Sequence, residues 1–177
     1  MSKEVLIYLG ASSKGVLFKL GARAHSQFMQ NKTRWLRQKD HDFIFDRVPR
    51  LCVDLLIKDK RGFVFVKRDI PPQKGRWHMP GGMVRRHETL AASAKRLAKE
   101  ETGLNIRVER LVGYIEFLHE IQNGKDRHSV SLVFLVRAES LRGLRKDSAI
   151  KFFKKLPTPF NSRHKEFLQL ERVFRRA

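Results

Sequence analysis

The sequence predicts a mixed α/β (α+β) fold. Three observations carry that prediction: a strand pair over residues 51–67, an amphipathic helix over 88–101 and a second strand pair over 106–137. The first run, residues 51–57, is apolar at nearly every position, as a strand covered on both faces would be. Residues 58–62 supply a turn and 63–67 its antiparallel mate, so this is a hairpin. Residues 69–82, rich in Pro and Gly, read as a loop. Leu90, Ala94, Leu97 and Ala98 then recur at helical spacing, and Gly103 provides a left-handed terminator. Residues 106–118 and 129–137 are β-rich, and Gln122, Asn123 and Gly124 between them signal a turn. Residues 150–153 read as a short edge strand, and 163–174 as an amphipathic helix with Phe167, Leu168, Leu170 and Phe174 inward.

Upstream, residues 1–48 carry nine Lys or Arg against four acids and show no sustained period. Asp40 is expected to cap a short lead-in helix through Phe43, Ile44 and Val48, which stops before Pro49 because the residue preceding proline disfavours the α region. The division that follows is a basic extension with its lead-in helix over 1–48 and one domain over 49–177.

With 41% hydrophobic residues and 13 Phe among 177, the chain can bury a core, which excludes wholesale disorder. A formal charge of +20 favours polyanionic ligands: nucleotides, nucleic acids or anionic lipids. The single cysteine, Cys52, excludes an internal disulfide or a thiolate zinc cluster and fits a reducing compartment. No apolar run approaches the ~20 residues needed to span a bilayer, and the apolar run near the start is too short for a signal peptide. A cytoplasmic protein is therefore expected.

On a helical wheel begun at Glu88, with about 100° per residue, Glu101 falls near 220°, in the middle of the apolar face. A carboxylate there needs a cation, because an unpaired ion against a core costs several kcal/mol. Fraying of the helix end before Gly103 would also expose it.

From Gly82 the chain reads GMVRRHETLAASAKRLAKEETGL. This segment resembles the Nudix signature G-x5-E-x7-R-E-U-x-E-E-x-G-U, with U a bulky apolar residue. Gly82, Glu88, Arg96, Glu100, Glu101 and Gly103 occupy six fixed positions, and Leu104 fits the last apolar one. At about 7% usage per residue type, six matches arise by chance roughly once in ten million starting points, so the resemblance carries weight. It implies a three-layer α/β/α sandwich with a mixed sheet over about the stretch from Arg50 to Phe153.

The resemblance further implies a Mg²⁺-dependent hydrolase of a nucleoside diphosphate linked to another group, with Mn²⁺ an alternative ion. Glu100 and Glu101 are implied metal ligands, with the Gly81 carbonyl completing the protein's share, and Arg96 and Glu88 orient the glutamates. Hard oxygen ligands suit an ion that bridges diphosphate charge.

One departure stands out. Where the signature has the first Glu of its R-E pair, this chain has Leu97. Three readings compete: a non-catalytic binding relative, a pyrophosphohydrolase with a displaced base such as Glu100, or the GDP-mannose mannosyl hydrolase branch, whose signature also lacks this glutamate. Pro71, Pro72, Gly75, Trp77, Pro80, Gly81 and Gly82 resemble that branch's loop. Residues 35–49 resemble its opening segment, which implies a family-like start near Met29 and an extension over 1–28. Asp54 and Arg68 match its nucleotide-sugar site, where an arginine stabilises the departing diphosphate. Asp147 falls at the branch's base position and Lys146 at its metal-binding glutamine position. Asp147 is thus a candidate base, with a solvated loop acid as the bland reading; His87, His119 and His128 are weaker candidates.

The leading expectation is attack of water at the anomeric carbon of a nucleotide sugar such as GDP-mannose. Attack at phosphorus is the alternative, and a nucleic-acid-binding role, motivated by charge, is the second. Nonspecific attraction to nucleic acid is expected in any case. A homodimer is left open.

Overall fold

The computed structural model describes residues 4–7, 16–19, 36–71, 73–122 and 124–174. The chain divides into two units, 1–35 and 36–177. In the first, β1 (Glu4–Ile7) and β2 (Val16–Lys19) pair antiparallel, Glu4 opposite Lys19, where the sequence offered no periodic signal. The expected start at Met29, the matched Trp35 and Pro72, and the turn residue Asn123 lie outside the described residues.

The second unit runs α1 (Gln38–Phe45), β3 (Arg50–Asp59), β4 (Gly62–Lys67), β5 (Trp77–His78), β6 (Gly81–Met83), α2 (Leu90–Thr102), β7 (Asn105–Gln122), β8 (Lys125–Ser140), β9 (Ile150–Phe153) and α3 (Ser162–Leu170). β3 is central in a mixed sheet of order β5-β4-β3-β8-β7. One edge of β3 pairs parallel to β8, from Arg50 opposite Ser129 to Lys58 opposite Arg137. Its other edge pairs antiparallel with β6 over Cys52 to Asp54, and then with β4 over Ile57 to Asp59. β4 therefore parts from β3 beyond the hairpin and lets the segment carrying β5 and β6 in. Val66 of β4 has His78 of β5 on one edge and Ile150 of β9 on the other, so β9 is an edge strand as its sequence suggests.

Period-two alternation along β3 builds the layers. Val53, Leu55 and Ile57 pack with Ala94, Leu97 and Ala98 of α2, while Leu56 packs with Phe65, Phe167 and Leu168 on the α3 side. The result is the expected α/β/α sandwich. β5 and the first two residues of β6 lie inside the span expected to be loop; strands of two and three residues are too short for alternation to register.

α2 begins at Leu90 rather than Glu88, because Thr89 is extended and its Oγ1 accepts the Ala92 N–H at 3.1 Å. It ends where Gly103 takes φ +79°; a Cβ there would also lie 2.1 Å from the Gly143 carbonyl oxygen. α1 corrects the expected cap: Arg37 holds the N-cap position without a side-chain capping bond, and Asp40 sits in the first turn, where its carboxylate meets the Arg37 guanidinium. α1 buries no residue, and Phe43 is 63% exposed. Asp42 and Asp46 instead pair with Arg127 of β8, so charge docks this helix rather than its apolar residues.

α3 is shorter than expected, and the Asn161 side chain accepts the His164 N–H at 3.1 Å. Phe167 and Leu168 are buried, but Leu170 is 74% exposed, against expectation. At about 100° per residue Leu170 falls roughly 120° from the stripe that His164, Phe167 and Leu168 define. Phe174, beyond the helix end, meets Phe63 edge-on with centroids 5.3 Å apart. No helix among the described residues is long and apolar enough to cross a membrane.

Candidate active site

Where β6 enters beside β3, the sheet face carrying Arg50, Cys52 and Asp54 borders a cavity of ≈ 420 Å³. Gly81 lies opposite Asp54 in the ladder, and an added Cβ at Gly81 would be 2.0 Å from Asp54 Oδ1. Glycine is thus the residue that lets this carboxylate face the turn.

Glu101 reaches the cavity from the end of α2, and its Oε2 accepts the Gly81 N–H at 3.2 Å. Burial pushes its carboxyl up to about 7, reinforced by the charges of Asp54 and Glu100 and opposed by that N–H. It has no ion pair among the described residues, so a bound cation would relieve an existing electrostatic cost. The donor set fits a hard divalent ion: one carboxylate, with the Gly81 backbone beside it. No three His, Cys, Asp or Glu side chains form a ready-made cage among the described residues. An ion that keeps waters and shares ligands with substrate phosphates suits such a site.

The other motif residues form a network on α2. Arg96 Nε donates to Glu88 Oε1 at 2.8 Å, and its other nitrogens reach Glu88 Oε2, the Met83 carbonyl and Glu100 Oε2. Burial raises the Glu88 carboxyl, and the Arg96 guanidinium with the Arg85 amide outweighs it, leaving Glu88 below the usual carboxylate range. Glu88 in turn accepts the Arg85 N–H at 3.1 Å, so the network ties α2 to the strand that carries Gly81 and Gly82. Glu100 is held by Arg85 and Arg96 and is not among the residues lining the cavity. Leu97 packs in the core beneath Gly82.

Asp54 and Arg68 both line the cavity. Arg68 Nε donates to the Ile70 carbonyl at 3.1 Å, which fixes its guanidinium at the rim. Asp54 is nearly buried, and His164 Nε2 of α3 stands 3.3 Å from its Oδ2. The Met79 N–H donates to His164 Nδ1 at 3.1 Å, so the imidazole proton resides on Nε2, toward Asp54. Asp147 is exposed, accepts the Ala149 N–H at 2.8 Å and does not line the cavity. His87, His119 and His128 do not line it either.

Three cavity histidines, His41, His78 and His164, escaped the sequence reading. His164 carried a usable signal, since it precedes Phe167 and Leu168 by three and four residues on the same helix stripe. His78 carried none, being one residue of a two-residue strand. Its ring lies 6.3 Å from that of His164, its Nδ1 donates to the Met79 carbonyl at 2.7 Å, and burial pushes its pKa down to about 4. The Cys52 thiol stays protonated, raised to about 12 by burial and the Asp54 charge.

Comparison with known proteins agrees with this architecture. A family model described as NUDIX domain matches residues 48–170. The low-salt glycan biosynthesis protein Agl8 of Haloferax volcanii is 28% identical over 124 residues, covering 68% of this chain and 79% of that protein. An ADP-ribose pyrophosphatase of Methanocaldococcus jannaschii is 34% identical over 88 residues, covering 50% of each. The crystal structure of a MutT NUDIX hydrolase from Burkholderia pseudomallei superposes with a TM-score of 0.53 at 25% identity, covering 70% of this chain and 98% of that one. With the signature helix, the mixed sheet and the family match in agreement, the chain belongs to the Nudix family of hydrolases.

Proposed function

We propose that this Nudix hydrolase acts on a nucleotide sugar, with water attacking the anomeric carbon and a nucleoside diphosphate leaving. The observation that carries this reading is that α2 turns one carboxylate, Glu101, into the cavity, while Leu97 is core. Attack at phosphorus commonly uses paired metals that clamp both the attacking and the leaving oxygen, and such pairs need several carboxylates. Of the other carboxylates lining the cavity, Asp54 faces His164 and Glu120 pairs with Arg50, which leaves Glu101 for an ion, and one ion suits neutralising a departing diphosphate.

Glu101 and the Gly81 carbonyl would hold Mg²⁺, or Mn²⁺, together with substrate phosphate oxygens. Bound there, the ion would neutralise the diphosphate. Arg68, fixed by the Ile70 and Pro71 carbonyls, meets the same charge from the rim, where its donors gain strength as charge develops on the leaving oxygen. Asp54, held by His164, offers an acceptor to a sugar hydroxyl. The likeness to Agl8, whose name places it in glycan biosynthesis, is in keeping with a sugar-bearing substrate. Attack at phosphorus is the second reading, favoured by the likeness to the M. jannaschii ADP-ribose pyrophosphatase.

The test is incubation with Mg²⁺ and GDP-mannose, GDP-glucose or ADP-ribose in ¹⁸O-water. Label in free sugar beside unlabelled nucleoside diphosphate is the expected product pattern. Labelled monophosphates would replace this reading with the second one. Glu101→Gln should abolish Mg²⁺-dependent turnover and leave the fold intact.

A further inference from the structure

Attack by water needs a group with an unshared pair at the reacting end of the cavity. Most titratable side chains lining it are already engaged. Glu120 pairs with Arg50 at 2.9 Å, Asp54 faces His164, and Glu101 accepts the Gly81 N–H. His164 uses Nδ1 to accept from Met79 and turns Nε2 toward Asp54. His41 comes from α1, which is docked on Arg127. Arg127 lies six residues along β8 from Val133, the ladder partner of Asp54, or about 20 Å at 3.3 Å per residue. His41 therefore belongs to the opposite end.

His41 also keeps a ring nitrogen, Nδ1, without a hydrogen-bond partner among the described residues, but at that end; His78 is the histidine with an open nitrogen beside Asp54. A carbonyl oxygen can only accept, so the contact from Nδ1 to the Met79 oxygen places the ring proton on Nδ1 and leaves the Nε2 lone pair unprotonated. Nε2 has no hydrogen-bond partner among the described residues, although the ring lines the cavity. Position adds to this. The backbone of Met79 holds both rings, its carbonyl taking His78 and its N–H reaching His164, which faces Asp54; Asp54 lies opposite Gly81, the residue bonded to Glu101. The charged groups nearby are Arg68 at the end of β4, Asp54 on β3 and His164 on α3. Burial keeps the ring neutral, so the lone pair persists at neutral pH, while making Nε2 a weaker base than a free imidazole.

We infer that His78 is the general base of this cavity, its Nε2 taking a proton from the attacking water. The inference rests on the reaction proposed above. The water oxygen bonds to the anomeric carbon as the bond from that carbon to the diphosphate oxygen breaks. The bonding pair leaves with the nucleoside diphosphate, the water proton moves to Nε2, and the imidazolium then returns it to solvent.

The test uses the full chain. In His78→Ala and His78→Gln, kcat on a substrate that the unmodified chain turns over should fall about 10²-fold or more, with KM and Tm little changed. Free imidazole should restore part of the kcat of His78→Ala. Independently, the ¹⁵N spectrum of His78 at neutral pH should show the neutral Nδ1–H tautomer. Variants that keep kcat within a few-fold, a loss confined to KM or Tm without rescue, or an Nε2–H tautomer would each overturn the assignment. Failure of the unmodified chain to turn over any nucleotide sugar would count against the proposed reaction, and the tautomer would still judge His78.

Discussion

Leu97 lies directly beneath Gly82: a Cβ added to Gly82 would stand 2.9 Å from Leu97 Cδ2. Leu97 is 5% exposed and packs among Val53, Leu55 and Ala94. Position 97 is therefore part of the floor under the site. Leu97→Glu is expected not to restore a second metal ligand. It would place an ion against the core at a cost of several kcal/mol, and Tm should drop steeply with no gain in turnover. A variant that keeps its Tm and binds a second Mg²⁺ by calorimetry would contradict this.

The Arg96 network makes a separate prediction about stability. The Glu88 and Arg96 side chains are each about 15% exposed, so removing one leaves the other poorly solvated. Arg96→Ala should cost on the order of 2–3 kcal/mol in urea unfolding, at or just below the range for breaking a fully buried pair because this pair is partly solvated. The double variant Glu88→Ala/Arg96→Ala should lose less than the sum of the two single variants. Additive losses would mean that the pair is not coupled. Because Glu88 is held below its ordinary value, its contribution is present above about pH 4.5 and fades as pH falls below that.

What the sequence made legible follows from locality. The motif residues Gly82 to Gly103 lie in one short strand, the turn after it and one helix, so spacing and period expose them together. The mixed sheet was readable as two hairpins, but the parallel pairing of β3 with β8 joins residues about 80 apart and leaves no local trace. The cavity depends on the same kind of assembly. His78 and His164 meet only because Trp77 exchanges backbone bonds with Pro159 and Asn161, which brings α3 back over β5. Asp147, placed by alignment to β9 alone, turns to cap its own loop. A lone loop position could not reveal which way it faced.

α1 offers a test of how charge holds an element in place. It buries no residue, and its charged contacts to β8 run from Asp42 and Asp46 to Arg127 and Lys125. Arg127 is 3% exposed, so a guanidinium left there without Asp42 and Asp46 would be poorly solvated. Arg127→Gln should release α1, raising amide exchange at residues 38–45 while β3 and β8 remain protected. Since Gln38 and His41 line the cavity, substrate KM should rise more than kcat falls. Unchanged exchange across α1 would show that other contacts suffice.

The last prediction concerns pH and metal together. A carboxyl whose folded value is raised to about 7, against an ordinary 4.5, binds its proton more tightly in the folded chain. Stability without metal should therefore fall as pH rises from about 4.5 to 7 and stay low above that, a cost on the order of 3 kcal/mol. His78 works in the opposite direction: lowered to about 4, it withdraws stability as pH falls from about 6.5 toward 4. The two partly cancel in the unmodified chain and separate in variants. Glu101→Gln should raise the metal-free Tm at pH 8 and lose stability on acidification through the His78 window. Mg²⁺ should raise the Tm of the unmodified chain more at pH 8 than at pH 5, because at pH 5 binding must first displace the Glu101 proton. The check is a thermal melt series with and without Mg²⁺ at both pH values. An equal Mg²⁺ shift at both, or one that survives in Glu101→Gln, would place the ion away from Glu101.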